Sequence, residues 1–200
     1  MTRFSNHSKR TFSPHIQKQI KDLLFGVENF KTEVETIIEP YNKKPKKIEI
    51  EQKLEKIFSK FHSVAKQLQN RQRSRSPFEI NDEYDVQDLL HALLKIDFRD
   101  IRAEEYCPSY ASTSPRVDFF LKRVNIAIEA KMARKGHGNK KISNELIIDK
   151  EYYQKKMGVN TLYCFIYDPD EIIKNVPGFK DDLYEKSEKF EAKAYVIPSS

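Results

Sequence analysis

Three residue types at close spacing set the chemistry this chain could do. Asp118 is followed by Glu129, and Lys131 stands two residues further on. The stretch 116–131 reads at period two. Val117, Phe119 and Leu121 alternate with Asp118, Phe120 and Lys122; after a polar bend near residues 122–125, Val124, Ile126 and Ile128 alternate with Asn125, Ala127 and Glu129. A hairpin of this length could carry Asp118 back beside Glu129 and Lys131. Two carboxylates could then hold Mg²⁺ through oxygen atoms and leave positions for water and a phosphate. The ion would lower the pKa of bound water, and a neighbouring ammonium could orient that water or offset charge on phosphorus-bound oxygens. The residues alone leave a second reading open, an ordinary hairpin whose charges lie on a solvated face.

The elements around this stretch have to position it. Residues 83–95 carry a helical stripe of Val86, Leu89, Leu90, Leu93 and Leu94, with Asp82 as its cap and Gln87 at the edge of the stripe. Residues 98–106 hold a weakly patterned strand, and the Ser-, Pro- and Thr-rich residues 107–115 read as a loop into the hairpin. Beyond Lys131, Gly136-His137-Gly138 marks a turn. A helix over 143–157 follows, in which Asp149 and Tyr153 can meet on one side. The continuous apolar run 162–167 is a strand of central-sheet type, and a helix over 180–189 and a strand over 191–197 complete the series.

The charge is unevenly placed. The chain holds 36 Lys and Arg against 30 Asp and Glu, a formal net charge of +6. Residues 116–141 hold eight basic side chains against two acidic ones, and so match that whole excess. A basic field around a carboxylate pair suits a polyanion. Arg116, Arg134, Lys135, Lys140 and Lys141 are the candidates for holding it, with Ser109 and Tyr110 in the preceding loop.

The motifs resemble the PD-(D/E)XK nucleases, whose pattern is an acidic residue followed by Glu-x-Lys. Residues 83–94, 108–110, 114–119, 128–131, 146–149 and 164–169 come in an order similar to one subgroup, the restriction-endonuclease-like domain related to the GATC-cutting Dpn/Mbo enzymes of bacterial defence. The similarity covers about residues 77–198. It implies an α/β (α+β) fold, a mixed sheet flanked by helices, with a helical appendage at the N-terminus. It implies a Mg²⁺-dependent deoxyribonuclease, with Mn²⁺ able to substitute, that leaves a 5′-phosphate and serves in restriction or abortive defence. Asp118 and Glu129 would bind metal with the Ala130 carbonyl as a third ligand, Lys131 would position or activate water, and Gln87 would stand near the metal. The subgroup usually has Gln where this chain has Glu145, which puts a DNA contact at that position in question. The alternatives are a catalytically silent DNA-binding or scaffolding module on the same fold and a nuclease acting on RNA.

Residues 1–76 are expected to form a helical region with a basic linker, and residues 77–200 the nuclease domain. Ser13-Pro14 reads as a cap and first helical position, followed by an apolar stripe over 16–30 and a separate short piece over 32–38. Residues 48–71 form a strongly amphipathic helix that could pack on the nuclease domain, on a helical partner or across a dimer. The favoured reading is an appendage for assembly, either into a homo-oligomer or with a defence partner. Cys107 and Cys164 fit no ligand or disulfide pattern, and no run approaches the length of a membrane span, so a cytoplasmic protein is expected.

Overall fold

The computed structural model describes residues 13–42, 47–106 and 116–198. The chain divides into two compact units, residues 1–44 and residues 45–200. The first contains one helix, α1 (Pro14–Asn42). Ser13 starts it, its Oγ accepting from the Ile16 amide at 3.4 Å. The stripes expected as two pieces are one continuous helix of 29 residues.

The second unit opens with α2 (Lys47–Gln69) and α3 (Glu83–Asp97) and continues through strands β1 (Arg102–Tyr106), β2 (Arg116–Leu121) and β3 (Ile126–Met132). Then come α4 (Asn139–Tyr152), β4 (Thr161–Tyr167), α5 (Val176–Leu183), β5 (Glu185–Lys186) and β6 (Glu191–Ile197). The six strands form one sheet in the order β1-β2-β3-β4-β6-β5. β1, β2 and β3 are antiparallel neighbours, β4 runs parallel to β3 and β6 parallel to β4, and β5 closes the edge antiparallel to β6. This is the mixed sheet flanked by helices that the sequence predicts.

Helices cover both faces of the sheet. On one, Leu54, Phe58 and Phe61 of α2 and Val86, Leu90 and Leu94 of α3 pack on Phe119, Ile128, Phe165 and Tyr167. The ring centroids of Phe58 and Phe61 lie 5.0 and 4.9 Å from that of Phe165, spacings at which tilted aromatic pairs attract. Of the three placements open to α2, the structure takes the first: its apolar face packs on the sheet, inside the unit that begins at Pro45. The boundary expected near residue 77 therefore falls within a compact body. On the other face, Ile142, Leu146 and Tyr153 from the α4 region and Phe179 and Leu183 from α5 pack on Leu162, Cys164, Ile166 and Val196. Cys164 is a buried free thiol.

The local chemistry explains most of the boundaries. Asp82 caps α3, its Oδ1 accepting from the Tyr84 and Asp85 amides at 2.9 and 3.3 Å, while Asp85 Oδ2 accepts from the Asp82 amide in return. The hairpin bend is a single 3₁₀ turn, Lys122–Val124, closed by Asn125 in the left-handed conformation at φ 56°, where Asn is among the tolerated residues. α4 begins at Asn139, four residues before the expected start. α5 begins at Val176 rather than near 180, because Asn175 Oδ1 accepts the Gly178 amide and Pro177 sits in the first turn. The two-residue β5 has no periodicity to read and was not expected from sequence.

Candidate active site

β2 and β3 pair regularly from Leu121↔Ile126 to Phe119↔Ile128, and there the paired register ends. The next opposed residues in that register would be Asp118 and Glu129. At this point Asp118 Oδ2 accepts the Ala130 amide at 2.8 Å. The ladder gives way to a side-chain contact, and the two carboxylates are set where the strands part. Lys131, on the same face of β3 as Glu129, donates to Glu129 Oε1 at 3.0 Å. The three residues singled out by spacing therefore meet.

Residues from both layers of helices complete the cluster. Glu83, in the first turn of α3, accepts from Lys131 Nζ at 3.3 Å. Gln87, one turn later on the same helix face, hydrogen-bonds the Asp118 carboxylate. From the opposite layer, the Tyr153 hydroxyl lies 2.8 Å from Glu129 Oε2 and 3.0 Å from the Arg116 carbonyl, its single proton shared between them. Tyr153 begins a π-helical turn, Tyr153–Met157, that extends α4 and ends at Gly158 with φ 61°. Such a wide turn inside a helix is often found at a functional site.

The electrostatics follow from burial. Glu129 is 4% exposed and Lys131 9%. Burial raises the Asp118 carboxyl to about 6, against the Ala130 amide and Lys131, which favour its ionised form. Burial and then the Asp118 charge raise Glu129 to about 8, with Lys131 opposing. Burial works to discharge the Lys131 ammonium, but Glu129 and Glu83 outweigh it and its pKa rises. Asp149 is raised by burial, partly countered by Lys131. The result is a half-neutralised pocket: two carboxylates that resist ionising and one ammonium that resists losing its proton. Among the described residues no three His, Cys, Asp or Glu side chains converge as a metal-binding group. The donors at the strand opening are two carboxylates, with the Ala130 carbonyl adjacent in sequence. Each carboxylate oxygen accepts at two positions, so the hydrogen bonds from Ala130, Lys131 and Tyr153 leave acceptor capacity on both groups.

Residues 52–199 match the family model described as REase_DpnII-MboI. The chain belongs to the DpnII-MboI restriction endonuclease family. No curated protein and no solved structure matches it. The DpnII-MboI match begins in α2, and so takes in the helix that packs on the sheet as well as the hairpin.

The basic residues lie around the cluster's rim. Arg116 opens β2 and is exposed, its carbonyl held by Tyr153. Arg134 and Lys135 are exposed on a tight turn in which the amide and carbonyl of Arg134 pair with those of His137. Gly136 at φ 81° supplies the left-handed position this turn needs. Lys140 and Lys141 are exposed in the first turn of α4. Glu145 does not stand free: its Oε2 is 3.2 Å from His137 Nε2, tying the turn to α4. Ser109 and Tyr110 lie outside the described residues. Glu83 and Tyr153 are the members of the cluster to which sequence reasoning gave no role. Glu83 carried a usable signal, four residues before Gln87 on one helix face. Tyr153 was paired with Asp149 but not with the hairpin. No helix among the described residues is long and apolar enough to cross a membrane.

Proposed function

We propose that the protein is a Mg²⁺-dependent endonuclease that hydrolyses phosphodiester bonds of DNA and acts as an effector in bacterial defence against phage. The observation that carries this reading is the meeting of Asp118, Glu129 and Lys131 where β2 and β3 part. The donor set suits a hard divalent cation: oxygen ligands only, two of them carboxylates whose raised pKa values express charge that lacks sufficient compensation. Mg²⁺, when bound, would acidify a ligated water and neutralise charge on the phosphate oxygens, and Mn²⁺ would serve the same donors.

The chain's own residues do the rest. Asp118 and Glu129 hold the cation, with the Ala130 carbonyl beside them. Lys131 keeps its proton in this environment, so it acts as a donor and positive charge rather than as a base. It orients the attacking water and faces the negative charge that develops during in-line displacement, which leaves a 5′-phosphate and a free 3′-hydroxyl. Glu83 and Glu129 fix its ammonium from two sides. Gln87 and Tyr153 each hold one carboxylate in place. Arg116, Arg134, Lys135, Lys140 and Lys141 grip the backbone on either side of the scissile bond. Residues 1–44 are left for assembly or partner contact.

The test is incubation of the purified protein with plasmid DNA and with RNA, in Mg²⁺ and in EDTA. DNA is cut in Mg²⁺ only, and Glu129→Ala and Lys131→Ala bind DNA without cutting it. Full cleavage by both variants overturns the site, cleavage of RNA alone overturns the substrate, and binding without cutting in any divalent metal points to a silent DNA-binding module.

A further inference from the structure

We propose that α1 is one strand of a two-stranded antiparallel coiled coil formed with a second copy of this chain. The inference is independent of the nuclease reading. It begins from the continuity of α1 across the two expected pieces, which joins their apolar positions into a single series. Ile20, Leu23, Val27, Phe30, Val34 and Ile37 follow one another at alternating steps of three and four residues. That spacing averages 3.5 residues, the heptad period of a left-handed supercoil, and not the 3.6 of a helix lying on a globular core. Ile20, Val27 and Val34 fall at one heptad position, all β-branched, with Leu23, Phe30 and Ile37 at the other. β-Branched residues at the first position favour two strands over larger bundles.

The face is uncovered. Leu23 is 70% exposed, Val27 63% and Phe30 67%, and α1 belongs to a compact unit of its own. A helix whose apolar stripe meets nothing must find a cover, since isolated apolar patches of this length mark interaction surfaces.

Two features select the second copy as that cover and set its direction. The first is register. In an antiparallel pair centred between Glu28 and Asn29, Ile20 meets Ile37 of the second copy, Leu23 meets its Val34 and Val27 meets its Phe30. Every layer then joins one heptad position to the other, and all six residues are used without remainder. Such a two-fold arrangement is self-complementary and closes. The second is charge. The N-terminal half of α1 carries Lys18 and Lys21 against Asp22, while the C-terminal half carries Glu28, Glu33 and Glu35 against Lys31. A parallel pair would set acidic half against acidic half. The antiparallel pair brings Lys21 to the level of Glu35 of the second copy, so the charge pattern fixes orientation as e and g charges do in other coiled coils.

The full-length protein tests this directly. Sedimentation equilibrium gives a particle of twice the 23.6 kDa chain mass. Val27→Lys combined with Phe30→Lys, which puts four ammonium groups into the two central layers, returns it to the chain mass. The melting temperature of the 45–200 unit does not move, because neither side chain belongs to its core. Ile148→Lys, which removes an equally exposed apolar group from α4, leaves the dimer intact. Direction is read by oxidising an equimolar mixture of Leu23→Cys and Val34→Cys chains, each carrying Cys107→Ser. Disulfides between the two variants outnumber those within either one. A wild-type protein at chain mass at every concentration, a trimer or tetramer, a double-lysine variant that still dimerises, or preferential Leu23→Cys self-pairing each overturns the proposal.

Discussion

Replacing Tyr153 by Phe is the sharpest probe of how the cluster is held, because it removes one oxygen atom and leaves the packing unchanged. Tyr153 is fully buried, and its hydroxyl serves Glu129 Oε2 at 2.8 Å and the Arg116 carbonyl at 3.0 Å. A hydrogen bond to a charged partner is worth about 1.5–3 kcal/mol, and the stranded carboxylate oxygen has no water route to replace it. We expect a loss of about 2 kcal/mol, which for a chain of this length lowers Tm by about 4–8 °C. The pH dependence adds a signature. The Glu129 carboxyl is raised to about 8 in the fold against an ordinary value of 4.5. Between those values the folded state holds a proton that the unfolded chain has released, so stability falls as pH rises through that window. Tyr153 favours the ionised form, so its loss pushes the Glu129 pKa higher still. The gap between wild type and Tyr153→Phe is therefore largest above pH 8 and narrows toward pH 5. Melts followed by circular dichroism in EDTA across this range check it. A Tm difference that is absent, or constant with pH, refutes the claim that this hydroxyl supports the Glu129 charge.

Two further outcomes follow from the same charges. Divalent metal raises Tm by mass action, about 2.7 kcal/mol of stabilisation at a hundredfold excess over Kd. The rise is larger at pH 8.5 than at pH 5.5, because Asp118 and Glu129 must shed protons to bind; scanning calorimetry in Mg²⁺ at the two pH values measures it. Replacing Arg134, Lys135, Lys140 and Lys141 together by Gln weakens DNA binding and flattens its dependence on log salt by about 3.6, at about 0.9 for each phosphate no longer neutralised; fluorescence anisotropy on a duplex reads that slope, and an unchanged slope removes this rim from the interface.

The parts of this structure legible in sequence are those whose cause is local. Alternation over 116–131 gave the hairpin, and the left-handed Asn125 lies in its expected bend. The strand 191–197 is found with the same bounds. Asp118, Glu129 and Lys131 share one ribbon, so their meeting needed only the hairpin's register. Glu83 and Tyr153 reach the same point from helices on opposite sides of the sheet, 48 and 24 residues away from their partners. Their contribution depends on how each helix lies across the strands, which no periodicity encodes. α2 shows the same limit. Its spacing declares an apolar face, but only the tertiary structure reveals that Phe165 and Tyr167 cover it.

The site also implies a conflict between holding the fold and doing the chemistry, and Asp118→Asn exposes it. Burial is the chief reason the Asp118 carboxyl is raised from 3.8 to about 6. As pH climbs through that window, the metal-free wild type loses stability on the order of 2 kcal/mol, because an ionised group sits where water cannot fully solvate it. Asn has no proton to lose. Its Oδ1 can still accept the Ala130 amide, and its amine can donate to the Gln87 side-chain oxygen once that amide turns over. The variant therefore matches wild type near pH 4 and exceeds it in Tm at pH 8 in EDTA, while losing the charge needed to hold a cation. Adding Mg²⁺ reverses the order, stabilising wild type and leaving Asp118→Asn unmoved. A residue kept at a cost to the empty fold, and repaid only when a divalent ion arrives, is retained for function. If Asp118→Asn were less stable at pH 8 in EDTA, the carboxylate would be a structural link to Ala130, and its place in the metal-binding pair would have to be given up.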